Sequence, residues 1–322
     1  MSKVENAIEV IDVSVSYGGV RAVDEVTFSV KKGQIVGFIG PNGAGKTTIF
    51  DAISGFVSSE GGRVIIDSHN VTNLSPTQRA RRGLGRSFQD ARLFGALTVA
   101  ETLACAFERH THRSDPVSSM LWMPWIRKAE RAVAARVDEI IDLMGLGAFR
   151  DKFVNELSTG SRRVVDLACV IAHEPTVLLL DEPSSGMAQR ETEAMGPLLI
   201  KVKETTGCTM LLIEHDMPLV TSVSEELIAL ETGRVILQGK PHVVTNDPRV
   251  VEAYLGTDER VVARSGAIAN GTKKRKPPVR AAKPKATKAA PKRKPAAKTT
   301  ATRKTTAAQK KTTARKTARR SS

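Results

Sequence analysis

A glycine-rich segment, Gly40-Pro-Asn-Gly-Ala-Gly-Lys-Thr47, contains the residue types needed to hold a phosphate group. Glycine lets the backbone turn tightly enough for its N–H groups to point at phosphate oxygens. The segment follows the apolar run Gln34–Ile39 and precedes a helix-like stretch, whose N-terminus favours an anion. In this context Lys46 would reach the β- and γ-phosphates, the Thr47 hydroxyl would hold Mg²⁺ and Thr48 would reach the α-phosphate. The pattern predicts a nucleotide-binding loop.

Two adjacent acids, Asp181 and Glu182, end the apolar run Leu178-Leu-Leu. At the end of such a strand, Asp181 would complete a Mg²⁺ site and Glu182 would polarise an attacking water. Alone, the pattern also fits an ordinary strand end with solvated acids. Beside a phosphate-binding loop, it favours a phosphoryl-transfer site.

The elements that must position these residues alternate between strand-like and helix-like segments, which is typical of an α/β fold. All-apolar runs suit strands buried on both faces of a mostly parallel sheet. Around residues 90–170 strand signals are few, and a Thr98–Glu101 capping box opens a helix, so we expect an inserted helical subdomain. The predicted strands are Ile8–Val15, Val26–Val30, Gln34–Ile39, Thr176–Leu180 and Met210–Ile213; the predicted helices include Ile126–Met144, Arg162–Ala172 and Glu191–Thr206.

The charge of the 322-residue chain is divided between two regions. Of its 49 lysines and arginines, 22 follow Glu259, and none of its 34 acidic residues does, so residues 1–259 carry −7 and residues 260–322 carry +22. This division excludes a uniformly basic nucleic-acid-binding domain. The three scattered cysteines imply no disulfide framework and fit a reducing cytoplasm.

The order of the motifs resembles that of the ATP-binding subunits of ABC transporters, over nearly all of residues 5–256. Besides the phosphate loop (Walker A) and the paired acids (Walker B), the resemblance rests on Gln89 in Arg86-Ser-Phe-Gln, Leu157-Ser-Thr-Gly-Ser161 at the signature position, and His215 in Ile213-Glu-His-Asp. It implies a P-loop NTPase core with an antiparallel β subdomain and an inserted helical subdomain. It also implies ATP contacts from Tyr17, Gly40, Pro41, Asn42, Gly43, Ala44, Gly45, Lys46, Thr47 and Thr48 of one subunit, and from Ser158 and Gly160 of a second.

The resemblance also assigns catalytic roles. Glu182 would activate water, His215 would contact the γ-phosphate, Lys46 would stabilise the transferring group, and Gln89 would sense the γ-phosphate and Mg²⁺. The implied metal ligands are Thr47, Gln89 and Asp181. The sequence departs from the family at Thr159 and Ser161 in the signature, and at Ala188, where most members have the D-loop Asp.

Three further stretches look like branched-chain amino acid importer ATPases: Gly83–Phe94, Leu211–Val220 and Ala253–Gly256. This resemblance implies an ATP-hydrolysing subunit, peripheral on the cytoplasmic face of the cell membrane. Its implied partners are a second, different ABC ATPase subunit, two permease subunits and, indirectly, an external solute-binding protein. ATP-dependent dimerisation would drive the permease. Urea and short-chain amide importers have similar ATPases, so the solute stays open between branched-chain amino acids and related small polar solutes.

A composition change after the cassette predicts two domains, 1–257 and a disordered tail at 258–322 rich in Lys, Arg, Ala, Pro and Thr. Basic tails attract polyanions, so nucleic acid and anionic lipid are candidate partners, and a solvated tail without a dedicated partner is left open. The alternative function is a soluble ABC ATPase acting on nucleic acid or ribosomes through the tail. The single cassette and the lack of a heptad array disfavour it.

Overall fold

A computed structural model describes residues 5–88, 93–108 and 124–255, the side chains of 124–127 excepted. This part of the chain contains a central six-stranded sheet, whose strands are β3 Ile35–Ile39, β6 Leu84–Arg86, β7 Val177–Asp181, β8 Thr209–Ile213, β9 Glu226–Glu231 and β10 Arg234–Gly239. Their order across the sheet is β10-β9-β3-β8-β7-β6. Strands β6 to β9 and β3 run parallel, and β10 pairs antiparallel with β9.

The second sheet is antiparallel, with the order β2-β1-β4-β5. Its strands are β1 Asn6–Tyr17, β2 Val20–Lys31, β4 Gly61–Ile66 and β5 His69–Asn70. Alternate residues of β3 divide the core between the two faces of the central sheet. Val36 and Phe38 pack in the cluster that includes the second sheet, whereas Ile35 and Ile39 pack with the helices opposite.

The helices cover both faces of the central sheet and form the inserted subdomain. Three of them, in the stretch where a helical subdomain is predicted, contribute Leu103, Ile141 and Val165 to one apolar cluster, which also includes residues of the central sheet. The helices are Lys46–Ser54, Pro76–Ala80, Val99–Phe107, Pro124–Met144, Thr159–Ile171, Gln189–Thr206, Met217–Val223, Pro241–Val244 and 248–255, with 3-10 turns at Gly147–Phe149 and Val154–Glu156.

The described residues bear out the predicted fold class, with one change of boundary that matters for the site. The helix expected at Arg162 begins at Thr159, because Ser158 caps it and accepts the N–H of Ser161 at 3.1 Å. The capping box at Thr98 forms as predicted. None of the helices described here has both the length and the apolar character that a membrane crossing requires.

Candidate nucleotide-binding and hydrolysis site

The phosphate loop joins β3 to the helix Lys46–Ser54, and its backbone shape requires glycine. Gly40, Gly43 and Gly45 have φ of 150°, 81° and 97°, values that other residues rarely adopt. A Cβ atom on Gly40 would lie 2.2 Å from the Leu230 carbonyl oxygen, and one on Gly45 would lie 2.5 Å from that of Ala22. The loop is therefore packed against β9 and β2, and neither glycine position has room for a side chain.

Lys46 begins the helix with its side chain buried inside the loop. Its Nζ donates hydrogen bonds to the carbonyl oxygens of Gly40 (2.6 Å) and Pro41 (3.0 Å). Burial lowers the Lys46 pKa, and the nearby carboxylates of Glu182 and Asp181 oppose that shift. The lysine therefore lies near enough to both paired acids to feel their charge.

Asp181 ends β7 with a buried carboxylate whose pKa is raised by burial. The guanidinium of Arg86 opposes that rise, with Nη2 3.6 Å from Asp181 Oδ2. Arg86 Nη1 also donates to Asp51 Oδ1 (2.7 Å) and to Ser54 Oγ (2.6 Å) on the helix that follows the phosphate loop. Arg86 therefore links β6, β7 and the loop helix, a connection that the sequence motifs do not reveal.

Glu182 and His215 meet at the carboxyl ends of β7 and β8. The distance between His215 Nε2 and Glu182 Oε1 is 2.9 Å. Glu182 has φ of 49°, an uncommon conformation for a non-glycine residue, and its N–H donates to the Ile213 carbonyl at 2.9 Å. Such a conformation costs about 1–3 kcal/mol and persists only where the surroundings enforce it. The fold thus holds Glu182 beside the histidine at the expense of local stability.

Glu214, which the sequence reasoning missed, fixes the two segments that carry this pair. Its buried carboxylate accepts the N–H of Ser184 at 2.8 Å and that of His215 at 3.1 Å. The two bonds tie the turn after Glu182 to the strand end that precedes His215. The signal was available in principle, because an acid next to a motif histidine in an apolar strand end needs buried partners.

The signature segment lies at the start of the helix Thr159–Ile171. The Ser158 hydroxyl donates to Glu191 Oε1 at 2.9 Å, and the Glu191 carboxylate lies so close to Gly160 that an added Cβ there would be 2.4 Å from it. Glu191 Oε2 accepts the N–H of Ala188 at 3.1 Å. One carboxylate therefore connects the D-loop to both signature residues predicted to meet ATP.

Two predicted residues stand apart from these contacts. Tyr17 is about half exposed at the end of β1, where it pairs with Val20 of β2. Strand β2 also carries Ala22, whose carbonyl oxygen lies against Gly45 of the phosphate loop. Gln89 lies outside the described residues, so its predicted roles are untested.

A groove of about 930 Å³ opens beside this region, between β6 and the helix Thr159–Ile171. Phe56, Phe88 and Asp166 are among the residues that line it. Burial raises the pKa of Asp166 to about 6, and Arg163 partly opposes the shift. The groove therefore combines aromatic rings with an acid that burial disfavours in its charged form.

Two known protein families match parts of this chain. The family described as "ABC transporter" matches residues 23–185, and the family described as "Branched-chain amino acid ATP-binding cassette transporter" matches residues 234–260. The chain therefore belongs to the ATP-binding proteins of ABC transporters and is an ATP-hydrolysing enzyme of that family.

Two individual relatives and one solved structure are similar to most of this chain. The chain is 34% identical over 249 residues to the high-affinity branched-chain amino acid transport ATP-binding protein BraF of Pseudomonas aeruginosa, covering 77% of this chain and 97% of the relative. It is 34% identical over 240 residues to LivG of Escherichia coli, which has the same description, covering 74% and 94%. A solved ADP conformation of an ABC transporter cassette is 29% identical, with a TM-score of 0.67 over 78% of this chain and 99% of that one.

Proposed function

We propose that this chain is the ATPase subunit of an importer for branched-chain amino acids or a related small polar solute, acting at the cytoplasmic face of the membrane. The observation that carries the proposal is similarity over nearly the full length of two branched-chain amino acid transport proteins, together with the match of residues 234–260 to a branched-chain family. These relatives are all transport proteins, and none favours the nucleic-acid alternative.

The chemistry follows from the residues that the fold brings together. Glu182 would orient the attacking water and accept its proton, and His215 would keep that carboxylate in position. Lys46 would give up its carbonyl partners in the loop to meet the phosphates of ATP, where its charge stabilises the transferring group.

The donor set fits a Mg²⁺ ion. The Thr47 hydroxyl and the Asp181 carboxylate would supply the oxygen ligands that this ion prefers, and the raised pKa of the buried Asp181 marks a carboxylate that a further cation would stabilise. When bound, Mg²⁺ would neutralise charge on the phosphates of the nucleotide.

We further propose that this chain forms a head-to-tail pair with a second ABC ATPase subunit. The pair would dock on two permease subunits, to which an external solute-binding protein delivers the solute. ATP held by one subunit would meet Ser158 and Gly160 of the other, since a helix start presents free N–H groups to an anion. Ser158 would exchange its bond to Glu191 for the phosphate. Closure would reach the permease through the Gln89 region and the helical subdomain.

The test is uptake into proteoliposomes that contain this full-length chain together with a partner ATPase and two permease subunits of a branched-chain amino acid importer. We expect ATP-dependent uptake of labelled leucine in the presence of the solute-binding protein, and none with the Glu182→Gln chain. Uptake of urea or a short-chain amide instead of leucine would correct the solute. Failure of the chain to assemble with the permease would reject the proposal.

A further inference from the structure

The C-terminal segment of the described chain contacts the phosphate loop directly. The phenolic oxygen of Tyr254, on the helix 248–255, accepts a hydrogen bond from the N–H of Gly40 at 2.7 Å. The two residues are 214 positions apart. Tyr254 is partly buried against the main apolar cluster, and neighbouring Ala253 is buried, so the helix is seated rather than lying free on the surface.

Tyr254 contacts the loop at Gly40, the residue that also binds the phosphate-loop lysine. The Gly40 carbonyl accepts the hydrogen bond from Lys46 Nζ at 2.6 Å, so Gly40 is held through its N–H by Tyr254 and through its oxygen by the lysine. At φ of 150°, Gly40 is in a region that glycine enters without strain, so the two hydrogen bonds, and not a steric limit of the residue itself, restrict it to this conformation.

A second bond from the same part of the chain holds the opposite end of the loop. In the turn between β9 and β10, the N–H of Gly233 donates to the Ala44 carbonyl at 3.0 Å. Tyr254 and the turn between β9 and β10 therefore hold the loop at two points, Gly40 and Ala44. Neither bond occupies a backbone N–H of residues 43–48, the part of the predicted ATP-binding loop that leads into the helix.

We propose that Tyr254 is a positioning residue for ATP binding, because its hydroxyl holds Gly40, and through it Lys46, in the conformation that receives the phosphates. The inference gives the helix 248–255 a role in nucleotide affinity. It rests on nucleotide binding, which the family implies, and not on the transported solute.

The physical basis is preorganisation. A loop already held in its binding conformation loses less conformational freedom when the nucleotide binds. Losing one hydrogen bond of ordinary strength corresponds to about 0.6–1.4 kcal/mol, which is roughly a 3- to 10-fold weaker Kd for ATP.

The experiment compares full-length wild type with Tyr254→Phe, which removes one oxygen and keeps the ring. Leu255→Ala is the matched control, since Leu255 is exposed on the same helix. Two quantities are measured: the Kd for Mg-ATP by calorimetry, and backbone amide exchange without nucleotide in the loop segment 37–49 and in β8. For Tyr254→Phe we expect a Kd raised roughly 3- to 10-fold and faster exchange in the loop alone. Leu255→Ala should match wild type in both.

Three outcomes would overturn the inference. The first is an unchanged Kd together with unchanged loop exchange in Tyr254→Phe. The second is an equal rise of exchange in the loop and in β8, because Tyr254 would then stabilise the whole fold rather than the loop. The third is the same loss of affinity in Leu255→Ala. Failure of the chain to assemble with the permease would reject the proposed function and leave these readouts unaffected.

Discussion

Replacing Asp166 by asparagine should stabilise the fold at neutral pH. Burial raises the pKa of this carboxyl from its ordinary value of 3.8 to about 6 in the folded chain. The unfolded chain ionises it at the lower value, so the charged form costs the folded state stability progressively as pH rises from about 4, and in full above about 6. A shift of about two pKa units corresponds to about 3 kcal/mol, which partial exposure in the groove reduces to about 2 kcal/mol.

Urea unfolding followed by circular dichroism measures this gain. Asp166→Asn should raise the free energy of unfolding by about 2 kcal/mol at pH 7.5, by about half as much near pH 5 and by little near pH 4. Glu204→Gln, an equivalent change at an exposed position of another helix, should stay within about 0.5 kcal/mol. Equal stability of Asp166→Asn and wild type at pH 7.5, or a gain that does not shrink at lower pH, would refute the reasoning.

Three further changes test the site and the tail. Glu182→Gln should bind ATP but hydrolyse it at least roughly 100-fold more slowly, because an amide cannot accept the proton; near-normal steady-state turnover would reject that role. Lys46→Ala should weaken nucleotide binding by calorimetry, and an unchanged Kd would count against the loop assignment. Deleting residues 260–322 should leave unchanged the amount of this chain that co-purifies from membranes with the permease subunits. If about eight tail charges engage phosphates, DNA affinity of the intact chain should fall roughly 10³- to 10⁵-fold between 50 and 200 mM salt, and salt-independent binding would contradict this.

The parts of the fold that local patterns specify were predictable from the sequence. The apolar runs Val177–Leu180 and Met210–Ile213 lie in strands buried on both faces of the sheet, as expected where every side chain of a run is apolar. Gly207 ends the helix Gln189–Thr206 with φ of 68°, as a residue without a Cβ does at low cost. The residues that end these strands, Glu182 among them, were found for the same reason, since parallel strands deliver their carboxyl ends to one edge.

Contacts between distant segments could not be predicted in this way. Arg86 precedes a motif and reads as an ordinary basic residue, yet the fold places it between Asp51 and Asp181 with the rings of Phe56 and Phe88 about 5–6 Å away. Tyr254 was noted only as part of the ending Ala253–Gly256, because nothing local indicates a partner 214 positions earlier. Both contacts depend on the order of the strands in the central sheet, and that order is a property of the whole sheet and not of any one segment.

The departure at Ala188 shows how one local change sets up such a contact. Ala188 precedes the helix Gln189–Thr206 at the capping position, where its methyl group cannot accept an N–H from the first turn. Glu191 still reaches back to the Ala188 N–H, but with one oxygen only, and its other oxygen accepts the Ser158 hydroxyl. At the sequence level, the missing D-loop acid bears on coupling across the predicted pair of ATPase subunits. Within the single folded chain, a carboxylate three residues later connects the D-loop to the signature, so these two segments stay linked without an acid at position 188.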